Sequence, residues 1–282
     1  MVVGMAEIVK KAKAGGYAVG SFNFKEYSDM RALADAAVMK RSPVIMMSTS
    51  GVVKFNGARS LAYAFRGICE ELGVPCALHL DHASDFELIK ECVMSGYTSV
   101  MIDASHLPFN ENIEATRRVV DIAKERGVSV EAELGTIGGK EDGASGKKIE
   151  FVDPSAVREF IERTGVDALA VAIGTIHGIY KEEPNLRFDL IQTSAACTDT
   201  PLVMHGGSGL TEGDFKRAIK CGISKVNVGT ELKMAFVKSL IETSGKPGAD
   251  KLDPMDYLRD ARERCRDIAA GKMEIFGCAG KA

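Results

Sequence analysis

The chain has 282 residues and a formal net charge of −3, so it lacks the basic character of a protein that binds nucleic acid or anionic membranes. It is 45% hydrophobic and can bury a large core, yet no apolar run approaches the ~20 residues that span a bilayer. The first residues predict a short amphipathic helix rather than a signal peptide, and the seven cysteines contain no C-x-x-C pair. These features predict a cytoplasmic protein without a disulfide framework.

Eight short runs rich in β-forming residues recur along the chain. Helical patterns lie between them, and several begin at Ser, Asp or Thr and end at Gly, the expected caps. This alternation predicts parallel strands joined by right-handed crossovers, and eight such units predict an α/β fold, a single-domain (β/α)8 TIM barrel. An open doubly wound sheet is the competing fold, but the first run leads into FNFKEYSD without a G-x-G-x-x-G fingerprint. The runs cover residues 18–24, 43–48, 75–81, 99–105, 128–134, 168–174, 201–207 and 225–230.

Polar residues collect at the ends of these runs. In a barrel, the carboxyl ends of all strands meet at one mouth, where active sites are built. Residues far apart in sequence are therefore expected to converge there. The residues that follow this pattern are Asn23, Asp81, His82, Asp103, Glu131, Glu133, His177, His205 and Asn227.

Three of the five histidines, His82, His177 and His205, belong to this group. Three neutral imidazoles with an open fourth position make a catalytic zinc site. The alternative interpretation is three independent, hydrogen-bonded histidines. His79 is expected to pack in the core behind the site rather than to bind metal.

The adjacent pair Asp81-His82 presents a geometric difficulty. Neighbouring residues of an ideal strand point to opposite faces. Both side chains reach the mouth only if the chain turns at His82, and the helix start at Ser84-Asp85 is consistent with such a turn.

Two segments resemble phosphate cradles: HGGSGLTEGDF (205–215) and NVGTELKMAF (227–236). Each is a strand end or glycine-rich turn that leads into a helix, where backbone N–H groups and the positive helix terminus bind phosphate. The loops after strands seven and eight often do this in barrels. The candidate contacts are Gly206, Gly207, Ser208 and Thr230, and the alternative is ordinary turn structure.

The segment GTIGGKEDGASGKK (about 135–148) is too glycine-rich to predict a stable helix or strand. A long flexible loop beside a barrel mouth is often a lid, and this one carries Glu141. A helical extension is expected at about 253–276. Both belong to one domain that covers residues 1–282.

Together these segments resemble class II, metal-dependent ketose-bisphosphate aldolases over nearly the whole length. The resemblance rests on FNF, LHLDHASD, SVMIDASHLPFNENI, VEAELGTIGGKEDG, GTIHGIY, PLVMHGGSG and NVGTELK, which occur in the family order. It implies a cytoplasmic lyase of carbohydrate metabolism and glycolysis, a homodimer or homotetramer, that acts on a sugar phosphate. It leaves open whether Na⁺ or K⁺ supports the phosphate site.

The resemblance also implies roles for individual residues. His82, His177 and His205 would bind Zn2+, with Glu133 and Asp103 engaging it in alternative positions. Asp81 would act on the hydroxyl at the cleaved bond, and Glu141 on the dihydroxyacetone phosphate carbon. The residues matching the site for the phosphate-bearing half of the substrate are Asn23, Gly178, Gly206, Gly207, Ser208, Asn227, Val228, Gly229 and Thr230.

Cleavage beside a ketone leaves an enediolate, which either a metal or a lysine Schiff base can stabilise. Lys225 lies at the start of the eighth run and is therefore expected at the wrong end of the barrel, which favours the metal.

One departure from the family pattern concerns the substrate. Many bisphosphate-cleaving relatives have D-P-R before the last helix, whereas this chain has Met255 in place of the arginine that holds the distal phosphate.

Three interpretations therefore stay open. The first is cleavage of fructose or tagatose 1,6-bisphosphate, with Arg259 replacing the missing arginine. The second is an aldolase of the same mechanism whose aldehyde product has no phosphate. The third is a non-catalytic phosphosugar-binding protein, against which the retained Asp81 and Glu141 argue.

Overall fold

The computed structural model describes residues 1–139, 149–180 and 182–282. Eight parallel strands close into a barrel in the order β1-β10-β9-β7-β5-β4-β3-β2, which confirms the predicted (β/α)8 fold. These strands are β1 Val19–Asn23, β2 Val44–Thr49, β3 Cys76–Ala83, β4 Ser99–Ile102, β5 Ser129–Leu134, β7 Ala168–Val171, β9 Leu202–Met204 and β10 Ile223–Val228.

Each predicted run overlaps one of these strands, although the ends differ. The last strand begins at Ile223, before the predicted run, and ends at Val228. Gly229 is the N-cap of the next helix, which begins at Thr230. A further parallel pair, β6 Gly138–Gly139 with β8 Ile176–His177, lies outside the barrel. The glycine-rich segment therefore begins with a short strand, contrary to the expectation from its composition. Residues 140–148, including Glu141, lie outside the described residues.

Most helices lie around the barrel, and several begin where the sequence supplies a side-chain cap. The side chain of Asp85 accepts hydrogen bonds from two amides at the start of the helix Phe86–Ser95, and that of Asp153 accepts one from the N–H of Ser155. The helices are α1 Met5–Gly15, α2 Tyr27–Lys40, α3 Ser50–Asn56, α4 Ala58–Cys69, α5 Phe86–Ser95, α6 Phe109–Lys124, α7 Pro154–Thr164, α8 Phe188–Ala196, α9 Glu212–Cys221, α10 Thr230–Ser244 and α11 Pro254–Ile275, with a 3-10 turn at Ala249–Lys251.

The two ends of the barrel differ in what covers them. Helix α1 lies at the amino-terminal end, where the N–H of Ala6 donates to Ser129 and the sulfur of Met5 contacts Ser99. The carboxyl-terminal end receives the loops that carry the predicted site. Helix α11, within the expected C-terminal extension, packs against α2 and α10. Among the described residues, no helix combines the length and apolar character needed to cross a membrane.

Candidate active site

The three predicted metal ligands meet at the carboxyl-terminal mouth of the barrel. The ring of His82 lies 4.6 Å from that of His177 and 4.5 Å from that of His205, between centroids. One nitrogen of each ring lies within 4.8 Å of the others. These residues come from β3, β8 and the turn after β9, so the closed barrel brings together side chains that are far apart in the sequence.

The backbone at His82 explains how two adjacent residues face the same site. His82 has a φ of 44°, in the left-handed region that residues other than glycine rarely adopt. The register of β3 against β4 shifts between Leu80 and Ala83, as a β-bulge requires. The predicted turn at His82 is confirmed. Such a conformation costs on the order of 1–3 kcal/mol and is typical of functional sites.

His205 is held in one tautomer by a buried carboxylate. Its Nε2 lies 2.8 Å from Oε1 of Glu131, and its Nδ1 lies 2.5 Å from Nε2 of His82. Since an ionised carboxylate only accepts hydrogen bonds, Nε2 carries the proton and Nδ1 keeps its lone pair. Burial lowers the pKa of His205 well below its usual range, so the ring is neutral, which is the form that binds a metal.

His82 is oriented by two other carboxylates. Its Nδ1 lies 3.3 Å from Oδ2 of Asp103 and 3.8 Å from Oε2 of Glu133, which leaves Nε2 facing His205. On this assignment two lone pairs face each other and repel unless a cation lies between them. His82, Asp103 and Glu133 form a second group of donors within 4.8 Å. Three imidazoles with carboxylates behind or beside them form a donor set that fits Zn2+.

Asp81 lies beside this cluster and is almost fully buried, with 1% of its surface exposed. The amide of Asn227 donates to Oδ1 at 3.1 Å, and the amide of Asn23 donates to Oδ2 at 3.2 Å. Each oxygen therefore receives one hydrogen bond and retains a further lone pair. The arrangement fixes the carboxylate and leaves it able to accept a proton.

The turn after β9 approaches its neighbours too closely for a larger residue. Gly206 has a φ of 69°, and a Cβ there would lie 2.5 Å from the carbonyl oxygen of Ile176. The hydroxyl of Tyr180 joins the same two segments, because it donates to the carbonyl of Gly206 and accepts from the N–H of Ile176. The N–H of Gly207 donates to the carbonyl of Asn227. Gly207 therefore contributes close packing rather than an open amide.

One cavity connects these features. Most of the predicted substrate contacts line it, together with three residues that sequence reasoning missed, namely Lys25, Thr49 and Lys233. Lys233 lies in the first turn of α10 and Lys25 in the loop between β1 and α2. Val228 is buried in β10, outside the lining. The predicted contacts in the lining are Asn23, Asp81, His177, Gly178, Gly206, Gly207, Ser208, Asn227, Gly229 and Thr230.

Arg259 does not line this cavity. It lies in a separate groove beside Met255 and Tyr27, between α2 and α11. Its guanidinium pairs with Asp256 at 3.1 Å, and 67% of the side chain is exposed. Within this chain, then, the structure does not bring Arg259 to Asp81.

The position of Lys225 differs from the expectation, which placed this residue at the wrong end of the barrel. It is fully buried inside β10, with its ammonium 2.9 Å from Oε2 of Glu131 and 2.8 Å from Oδ1 of Asn227. Lys225 and Asn227 are two residues apart and so share a face of the strand, a signal that was present in the sequence. Its side chain pairs with Glu131 inside the barrel and does not line the cavity.

Comparisons with known proteins agree with this fold. The family model described as fructose-bisphosphate aldolase class-II matches residues 3–281. The chain is 43% identical over 285 residues to a probable fructose-bisphosphate aldolase of Bacillus subtilis, covering 100% of this chain and 99% of the relative. It is 42% identical over 284 residues to a fructose-bisphosphate aldolase of Staphylococcus epidermidis, with the same coverage.

Solved structures show the same likeness. The YdjI aldolase from Escherichia coli K12 superposes with a TM-score of 0.88 at 33% identity, covering 100% of both chains. A putative fructose-1,6-bisphosphate aldolase from Coccidioides immitis gives a TM-score of 0.91 at 27% identity, over 98% of this chain and 97% of that one.

The barrel and its polar mouth define an enzyme of the lyase class, an aldolase. The chain belongs to the class II fructose-bisphosphate aldolase family.

Proposed function

We propose that the protein is a zinc-dependent aldolase that reversibly cleaves a ketose 1,6-bisphosphate, fructose or tagatose, to dihydroxyacetone phosphate and glyceraldehyde 3-phosphate. One observation carries the proposal. Donor nitrogens of His82, His177 and His205 lie within 4.8 Å of one another, and Asp81 and the predicted phosphate contacts line the adjoining cavity.

The zinc would be held by the three histidines, with Asp103 and Glu133 as further donors. A bound Zn2+ supplies Lewis-acid stabilisation for the negative charge that develops on the ketone oxygen. The chain's part is to hold the ligands neutral and oriented, through Glu131 behind His205 and Asp103 behind His82.

Asp81 is proposed to remove the proton from the hydroxyl at the cleaved bond. Its carboxylate is fixed by two amides, so little reorganisation is required when the substrate binds. In the direction of condensation, the same group returns the proton. Glu141, proposed to exchange a proton with the dihydroxyacetone phosphate carbon, lies outside the described residues.

The phosphate of the dihydroxyacetone half is proposed to lie against the turn 206–208 and the start of α10. The helix begins at Thr230, and the positive end of its dipole faces the cavity that Thr230 and Gly229 line. Lys233 adds a positive charge in the first turn. The turn, the helix terminus and Lys233 together support this proposed position of the phosphate.

The aldehyde half has a second candidate chemistry, an aldehyde without phosphate. Met255 carries no charge, and Arg259 pairs with Asp256 away from the cavity, so neither supplies a cation beside Asp81 in this chain. Lys25 is the cationic residue that lines the cavity at the end of β1. A ketose monophosphate has no distal phosphate, so the same reaction on it would need no further cationic group at the aldehyde half.

Two measurements test the proposal. Treatment with a chelator should abolish cleavage of fructose 1,6-bisphosphate and Zn2+ should restore it. Activity that survives chelation and is trapped by borohydride would refute the zinc mechanism. A condensation screen should then supply dihydroxyacetone phosphate with glyceraldehyde 3-phosphate and, as matched controls, with unphosphorylated aldehydes. Faster turnover of the unphosphorylated aldehydes would select the second substrate class.

A further inference from the structure

Lys225 is a buried charge that the proposed reaction does not use. Its side chain has no exposed surface, and its ammonium contacts one oxygen of Glu131 at 2.9 Å and the amide oxygen of Asn227 at 2.8 Å. A buried ion pair is weak support for stability, because the desolvation of both groups offsets their attraction. Its position between two groups that touch the reaction centre indicates another role.

The first contact leads to the metal site. Glu131 is shared, since Oε2 faces Lys225 while Oε1 lies 2.8 Å from Nε2 of His205. The ammonium neutralises this carboxylate inside the barrel and holds it in one orientation. Glu131 in turn fixes the proton of His205 on Nε2, so that Nδ1 presents its lone pair toward His82.

The second contact leads to the proposed base. An amide side chain has an acceptor on one side and a donor on the other, and nothing in its shape determines which way it points. An ammonium only donates, so Lys225 selects the orientation in which Oδ1 of Asn227 faces it. The amide nitrogen then faces Oδ1 of Asp81 at 3.1 Å. A flipped amide would place its oxygen against the carboxylate.

We propose that Lys225 is a positioning residue that sets the tautomer of His205 through Glu131 and the orientation of Asp81 through Asn227. The inference rests on the proposed zinc aldolase reaction. It predicts two separable effects, one on zinc affinity and one on turnover.

The first test is Lys225→Met, which keeps an unbranched chain and removes the charge. Zinc affinity, measured without substrate by competition with a chromophoric chelator, should weaken by about 10–100-fold. At saturating zinc, kcat should fall by about 10²-fold through misplacement of Asp81, with little change in KM.

The second variant, Lys225→Met with Glu131→Gln, separates positioning from stability. It removes both buried charges, so it should recover the stability lost in the single variant. When Nδ1 of His205 serves as the zinc ligand, its Nε2–H can only donate and so selects the orientation in which the glutamine oxygen accepts. Zinc affinity should therefore return to within about threefold of wild type. The kcat of this variant should stay low because nothing orients Asn227. This variant also tests the inference if the single variant fails to fold.

The outcomes are distinct from those of the proposed function. Zinc affinity and kcat within about twofold of wild type in Lys225→Met would overturn the positioning role. Recovery of kcat together with stability in the double variant would do the same, because the role would then be structural. A wild-type protein that binds no zinc would instead overturn the proposed function itself.

Discussion

The variant Gly206→Ala tests the close approach of the turn after β9 to Ile176 at the mouth of the barrel. An added Cβ would lie 2.5 Å from the carbonyl oxygen of Ile176 and 2.9 Å from its carbonyl carbon. Neither partner can yield easily, because the hydroxyl of Tyr180 bonds to both segments and Ile176 pairs with Gly138 in the short sheet. The substitution should therefore push the segments apart.

The magnitude follows from two contributions. An alanine in the left-handed region costs about 1–2 kcal/mol relative to glycine. Overpacking against fixed atoms adds about 1–3 kcal/mol, so the total is roughly 2–5 kcal/mol of unfolding free energy. Since His205 precedes this glycine and His177 follows Ile176, the shift also separates two proposed ligands. We expect kcat/KM to fall by about 10²-fold.

Gly209→Ala is the matched control. Gly209 lies in the same turn with a φ of 94°, but a Cβ there would meet only a ring carbon of Tyr180 at 3.4 Å. It should cost about 1–2 kcal/mol from backbone strain alone. Urea unfolding with a common slope measures both variants. Equal destabilisation of the two, with kcat/KM of Gly206→Ala undiminished, would refute the reasoning.

Three further perturbations follow from the site. Asp81→Asn should lower kcat by about 10²–10⁴-fold and leave zinc affinity nearly unchanged; full turnover at saturating zinc would remove Asp81 from its proposed role. Tyr180→Phe removes the hydroxyl between Ile176 and Gly206, and calorimetric or denaturant unfolding should show a loss of about 1–3 kcal/mol; an unchanged midpoint would contradict the bridge. Burial raises the pKa of Asp29 to about 7 from its ordinary 3.8. Its folded form holds a proton that the unfolded chain has released, so its contribution to stability is lost as pH rises from about 4 to 7, by up to roughly 4 kcal/mol. The asparagine of the Asp29→Asn variant stays neutral throughout, so the unfolding free energy of this variant should rise relative to that of wild type over that pH range. Parallel profiles of unfolding free energy against pH for the two proteins would contradict the raised pKa.

The barrel was predictable because its signals are local and repeated. Each strand run contains residues that favour β-structure, and several helix starts supply a side-chain cap, as Asp85 and Asp153 do. Parallel pairing and right-handed crossovers also fit an open sheet, and it is the count of eight units that favours a closed barrel. Much of the candidate site was predictable because polar residues follow the carboxyl ends of several buried runs, as Asp81-His82 and His205 do.

The remaining features depend on contacts that no single segment contains. The strand Gly138–Gly139 has the residues least suited to a strand, and it exists because Ile176–His177 provides a partner. The left-handed backbone at His82 likewise depends on the bulge against β4. The sequence showed that the chain must turn at His82, because Asp81 is adjacent and both side chains must face the mouth. It did not show the geometry of that turn.

Lys225 shows how a period of two should be applied inside a barrel. On β3, His79 and Asp81 are two residues apart and share a face of the strand, whereas on β10 the lysine was assigned by its distance from the strand end. Inside a closed barrel, each strand places alternate residues in stacked layers, so a residue two positions below the mouth lies directly beneath it. Glu131 and Lys225 form that lower layer, and both contact residues of the layer above. A polar residue deep in a barrel strand therefore indicates a group that orients the side chains at the mouth. This role is tested by replacing the residue and measuring the function of the side chains above it.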